Sequence, residues 1–110
     1  MAWHDALGAD EMAVEEARGL VLGGVPIALF RLEDGFHALH DLCTHGHARL
    51  SEGYVEDGCV ECPLHQGLVH IATGAARTAP ISLPTRTYPT RVEAGRVEVE
   101  VIPSPSGVKP

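Results

Sequence analysis

Thiols and positive charges are scarce in this chain, and it lacks basic leader segments and long apolar runs. Each shortage removes a class of function. Three cysteines, an odd number, do not build a disulfide framework. Eight Lys plus Arg stand against fifteen Asp plus Glu, a formal net charge of −7. Such an acidic balance argues against a nucleic-acid backbone or an anionic membrane as the partner. The first residues, MAWHDALGADEM, contain no basic region, apolar stretch or small-residue cleavage site, which predicts a chain that is not exported. No apolar run is long enough to span a bilayer. There is no internal repeat and no linker. No carboxylate pair is set up for acid–base work, no Ser or Cys nucleophile has a recognisable setting, and the glycines form no phosphate loop. These features fit a cytoplasmic protein in a reducing compartment, where Cys beside His points to metal. Its acidic surface would complement a partner with a basic patch.

The 110 residues make one domain, 1–110, with a modest core that a structural cofactor would support. Twelve glycines and eight prolines favour turns and short strands over a helical bundle. DEMAVEEARGL predicts about one helical turn near residues 10 to 13, with Asp10 as N-cap. Gly19 and the β-branched residues beyond it end that pattern and begin a strand towards Leu22. The rest reads as hairpins. PIALFRL and FHALHDL flank Glu33-Asp34-Gly35, GYVE and CVEC flank Asp57-Gly58, and TRTYPTRVE and RVEVEV flank Ala94-Gly95. Val97, Val99 and Val101 alternate with Glu98 and Glu100, as in a half-buried antiparallel strand. The fold class is all-β, an antiparallel sandwich or barrel. A small subdomain at about 43–70 is inserted into it, and the tail PSPSGVKP is frayed.

That inserted segment holds what the chain does have. Cys43-Thr44-His45 is followed by sixteen residues and then Cys62-Pro63-Leu64-His65. The Asp57-Gly58 hairpin lies between the pairs and would bring the two loops together at one end. Two thiolates and two imidazoles then converge. Such a set binds one zinc ion tetrahedrally, which would make an interaction module. It also binds a [2Fe–2S] cluster, with both cysteines on one iron and both histidines on the other. Residues i and i+2 of an extended turn project to the same side. Cys43 and His45 then reach adjacent irons rather than crowd one atom, which favours the cluster.

With CTHG and CPLHQG at this spacing, the stretch resembles the Rieske iron–sulfur motif, C-x-H…C-x-x-H. DLCTHG, LSEGYVEDG, VECPLHQG and TYPTRVEAGRVEV extend the likeness across nearly the whole chain, most weakly over residues 1 to 18. It is similar to the small Rieske-type ferredoxins of bacterial multicomponent aromatic-ring-hydroxylating dioxygenases. The resemblance implies a Rieske fold and one [2Fe–2S] cluster. Cys43 and Cys62 would bind the inner iron. His45 and His65 would bind the outer iron and present their ring edges to solvent as the doorway for charge. Leu50, Leu64 and the loop around Pro80 would shield the cluster. The chain would then be a one-electron carrier and no catalyst by itself. It would run as a monomer in transient complexes between an NAD(P)H-dependent flavin reductase and a terminal oxygenase, in aromatic-compound catabolism. A small Rieske subunit of another reductase, of the nitrite reductase type, is the alternative within the same family.

High-potential Rieske proteins add two cysteines that tie the cluster loops together, and hydroxyl groups just past the second His. Here the corresponding positions are His47 or a neighbour and Leu64, followed by Gln66-Gly67-Leu68-Val69, with neither spare thiol nor hydroxyl. Donors to sulfur raise the potential, so their absence predicts the low end of the Rieske range, roughly −150 mV. The third thiol, Cys59, shares a strand face with Glu61 and is expected to point away from the site. His47 fits the ligand spacing less well than His45. His4, His37, His40 and His70 are expected on strand or loop surfaces. Glu52, Glu56 and Asp57 are candidates for steering a basic partner.

Overall fold

The structure is a computed structural model and describes residues 2–43, 48–63, 67–79 and 83–101. Among the described residues there are ten strands: β1 (Ala2–Gly8), β2 (Ala17–Leu22), β3 (Val25–Leu32), β4 (Gly35–His40), β5 (Tyr54–Glu56), β6 (Cys59–Glu61), β7 (Leu68–His70), β8 (Thr87–Tyr88), β9 (Thr90–Glu93) and β10 (Arg96–Val101). All pair antiparallel, in three open sheets ordered β1-β10-β9, β2-β3-β4-β8 and β5-β6-β7. The all-β expectation therefore holds as stacked open sheets rather than a closed barrel.

The layering follows from one apolar run in β3. Ile27, Ala28, Leu29 and Phe30 are all 0% exposed, and a strand with no polar alternation is covered on both faces. Ile27 and Leu29 pack with Leu7, Met12, Ala38, Tyr88, Val97 and Val99. Ala28 and Phe30 face the opposite way, onto Leu39, Leu50, Val55, Val60, Val69 and Ile71. Each Val, Leu, Ile, Met or Phe side chain among them contributes about 1.5–3 kcal/mol by leaving water. The middle sheet is thus shared between two cores, one under β1-β10-β9 and one under β5-β6-β7. The second core carries the cysteines.

The three expected hairpins form. Asp57 and Gly58 both take positive φ (55° and 77°) between β5 and β6, the two-residue turn whose twist matches its strands. Register then aligns Val55, Val60 and Val69 across the small sheet, and all three are buried. In β10, Val97, Val99 and Val101 are buried and Glu98 and Glu100 lie partly outward.

Several expectations need correction. The helical turn is a 3-10 turn at Ala9–Glu11, one residue early, and Gly8 rather than Asp10 is its N-cap. The Gly8 amide donates to Glu11 Oε2 at 2.8 Å, so the acidic side chain folds back on the turn instead of continuing a helix. Ala2–Gly8, given no element from sequence, is a strand paired along β10. A fourth hairpin turns at Gly23-Gly24 between β2 and β3. Gly19 lies inside β2 and does not delay it. A Cβ there would stand 2.7 Å from Ser51 Oγ, so the position is kept bare for a close neighbour. TRTYPTRVE is two strands in two sheets, broken at Pro89, which has no N–H to give a ladder. The 102–110 tail lies outside the described residues.

Candidate metal centre

Two loops of equal span are closed in the same way. The Cys43 amide donates to the Ala48 carbonyl at 2.9 Å, and the Cys62 amide donates to the Gly67 carbonyl at 2.8 Å. Each cysteine is therefore the last paired residue before its loop, 44–47 in one case and 63–66 in the other. Cys62 extends the β6–β7 ladder beyond the Glu61–Leu68 pair. Cys43 extends a short ladder in which Leu50 donates to the Asp41 carbonyl at 2.7 Å and Leu42 bridges Arg49. The Asp57-Gly58 hairpin lies between the two ladders, as its turn chemistry implied.

Both thiols point inward. Cys43 is 5% exposed and Cys62 0%, and both belong to the cluster of Leu50, Val60, Val69 and Ile71. Buried cysteines are usually inert small hydrophobes. Here two of them, from loops closed alike, share one apolar cluster, which suits a soft centre shielded from water. Leu50 lies in that same cluster. Cys59 is half-buried, pairs across to Glu56 and His70, and stands on the other face from Val60 and Cys62. That placement is as the strand period implied.

His45, His65, His47, Leu64 and Pro80 lie outside the described residues. Among the described residues no cluster of three or more His, Cys, Asp or Glu side chains forms a metal site, since the described part of the expected set is Cys43 and Cys62. These two fit the cofactor by donor chemistry: two soft thiols in one buried apolar cluster, each at the mouth of a loop whose sequence supplies an imidazole.

Sequence reasoning missed the residues beneath the first loop. Asp41 is 1% exposed. Its Oδ1 accepts the Ser51 amide at 2.8 Å, and its Oδ2 accepts the Ser51 hydroxyl at 3.0 Å and Arg49 Nη1 at 3.3 Å. The available signal was an acid interrupting the apolar strand FHALHDL immediately before the first Cys/His pair.

Of the other histidines, His37 pairs with Asp34 at 2.9 Å and His70 Nδ1 meets Thr73 Oγ1 at 2.8 Å, both half-buried. His40 corrects the surface expectation: it is 4% exposed, and its Nδ1 has no hydrogen-bond partner. It ends β4 opposite Ile27, whose face is core. Burial pushes its pKa below the ordinary 6.5. A backbone hydrogen bond at Leu42 and the Asp41 charge act against that shift, and Arg86 acts with it. With the folded value below the unfolded one, the unfolded chain takes up a proton first as pH falls. Stability contributed by neutral His40 is whole above 6.5 and is lost as pH drops from there through the folded value. The thermal midpoint of His40→Gln is expected to fall less steeply than that of the parent on acidification from pH 7. Parallel curves would remove His40 from the acid response.

Comparison with known proteins agrees with this geometry. The chain is 60% identical over 99 residues to the anthranilate 1,2-dioxygenase ferredoxin subunit of Burkholderia cepacia, covering 90% of this chain and 92% of that one. It is 38% identical to the ferredoxin component of a naphthalene 1,2-dioxygenase system from Pseudomonas aeruginosa, covering 90% and 95%. A solved complex of reduced oxygenase and oxidised ferredoxin in carbazole 1,9a-dioxygenase contains a chain of similar fold. That chain has a TM-score of 0.83 and 35% identity, with 88% of this chain and 91% of that one covered. The pattern of the Rieske [2Fe-2S] domain matches residues 2–89. With two buried thiols on loops closed alike beneath that match, this chain belongs to the Rieske [2Fe-2S] domain family.

Proposed function

We propose that this chain carries single electrons to the terminal oxygenase of an aromatic-ring dioxygenase system, with Cys43, His45, Cys62 and His65 holding its [2Fe–2S] cluster. When bound, a cluster of this type takes up and returns one electron. The observation that carries the ligand assignment is the pair of buried cysteines at matching loop mouths. Cys43 and Cys62 bind as thiolates, and Leu50, Val60, Val69 and Ile71 keep water from their end. His45 and His65 complete the set from inside the two loops. The chain is a carrier rather than the catalyst, as are its relatives named as ferredoxin components. Residues 1–110 act as one domain, in which 43–70 bears the centre. The separate β5-β6-β7 sheet supports that division.

The electron donor is a flavin reductase that oxidises NADH or NADPH, and the setting is the cytoplasm. A net charge of −7 supports docking on basic partner surfaces. Glu52, Glu56 and Asp57 are all exposed, close in sequence to the site. Complexes steered by such charges form fast, release fast and weaken with salt.

The test is reconstitution. Reductase, oxygenase, reduced nicotinamide and aromatic substrate should give product only when this chain is added, and the rate should fall as salt rises. Product formation at full rate without the chain, or protein that purifies with zinc and no acid-labile sulfide, overturns the proposal.

A further inference from the structure

The buried carboxylate under the first loop is more than packing. Asp41 lies two residues before Cys43, and its main chain belongs to the ladder that closes loop 44–47. Its amide donates to the Pro26 carbonyl at 3.0 Å and its carbonyl accepts Leu50 at 2.7 Å. Its side chain reaches across to the far side of the ladder. There the Ser51 amide, the Ser51 hydroxyl and Arg49 donate to both carboxylate oxygens. Every contact is a donor, so both side-chain oxygens of Asp41 serve as acceptors. The pair with Arg49 is lopsided: the Asp41 side chain is 1% exposed and that of Arg49 is 50%. Water screens the cation much more than the anion, so negative potential remains on the protein side.

We infer that Asp41 is a positioning and charge-setting residue for the proposed centre. Its buried carboxylate clasps both sides of the first loop and resists the arrival of an electron, and Arg49 partly offsets it. The inference rests on the cluster proposed above. Uptake of an electron adds one negative charge, and a fixed like charge in a water-poor interior opposes that addition. The chain thus has a source of low potential besides the missing hydroxyls and the missing second pair of cysteines. No sequence motif in the loop itself contains it.

The test is the equilibrium between the purified holoprotein and a redox dye of known potential, measured for Asp41→Asn and Arg49→Gln. Asn keeps the size and one carbonyl oxygen for the Ser51 amide but removes the charge. It is expected to shift the equilibrium about tenfold towards reduced protein, about 59 mV for one electron. Arg49→Gln removes the exposed cation and is expected to shift it about threefold the other way. A purely structural clasp predicts poorer cluster retention in both variants with no opposed shifts. Unmoved potentials, or shifts of one sign, overturn the inference. If Asp41→Asn fails to retain a cluster, Arg49→Gln decides alone, and a potential that does not fall overturns it. Parent protein without the cluster would sink the ligand assignment itself; parent protein with the cluster and unshifted variants sinks only this inference.

Discussion

Cys62→Ala is expected to purify colourless, without acid-labile sulfide, while Cys59→Ala keeps the red-brown colour of the parent. The two thiols lie in one short stretch, Cys59-Val60-Glu61-Cys62, so the comparison holds residue type and neighbourhood nearly constant. What differs is the face. Cys62 is 0% exposed and packs with Cys43, Leu50 and Ile71, whereas Cys59 is half-buried beside Glu56 and His70. Were Cys62 only core filling, removing its sulfur would cost stability on the scale of a small truncation, about 1 kcal/mol, and leave the spectrum alone. As an iron ligand its loss removes the cofactor outright. Visible absorption and iron content separate these readings. A coloured Cys62→Ala protein would exclude Cys62 from the ligand set.

Gly53→Ala is expected to destabilise the protein by about 3 kcal/mol, near the upper end of the overpacking range, and to loosen the cofactor as well. Gly53 follows the short 3-10 turn Leu50–Glu52 and precedes β5. Its φ of −84° is open to any residue, so backbone strain is not the reason. A Cβ would overlap the carbonyl oxygen of Glu61 and press on Val60 Cγ2. The obstacle is main chain in the middle of a three-stranded sheet, which cannot swing aside as a side-chain tip does. Relief requires moving β6, and with it Cys62. Chemical denaturation of parent and variant measures the first effect, and iron retained through gel filtration measures the second. A variant as stable as the parent would show that β5 and β6 pack less tightly than the structure has them.

The parts of this chain legible in its sequence were those set by local chemistry. Asp57-Gly58 and Ala94-Gly95 dictate turns because few residue pairs accept two positive φ values in a row. Val97, Val99 and Val101 announce their face by period alone. The Cys/His spacing announced the metal class because so few unrelated sequences place two thiols and two imidazoles in this way. Long-range contacts determined what was not legible. The first strand exists because β10 offers it an edge, and nothing within AWHDALG demands that pairing. His40 looks like a surface residue until β3 and β4 align it with Ile27. Asp41 needs Ser51 and Arg49, which come from the far side of a loop. Gly19 reads only as the end of a helical pattern until Ser51 is seen to occupy the space beside it.

One spectrum tests the central claim most directly: electron paramagnetic resonance of dithionite-reduced protein. Two thiolates and two imidazoles on one reduced [2Fe–2S] centre predict a rhombic signal. Its average g value lies below that of an all-thiolate cluster, because nitrogen ligands hold the electron on the histidine-bound iron. An average g typical of four cysteine ligands, or a silent sample containing zinc, would contradict the assignment of His45 and His65 alongside Cys43 and Cys62.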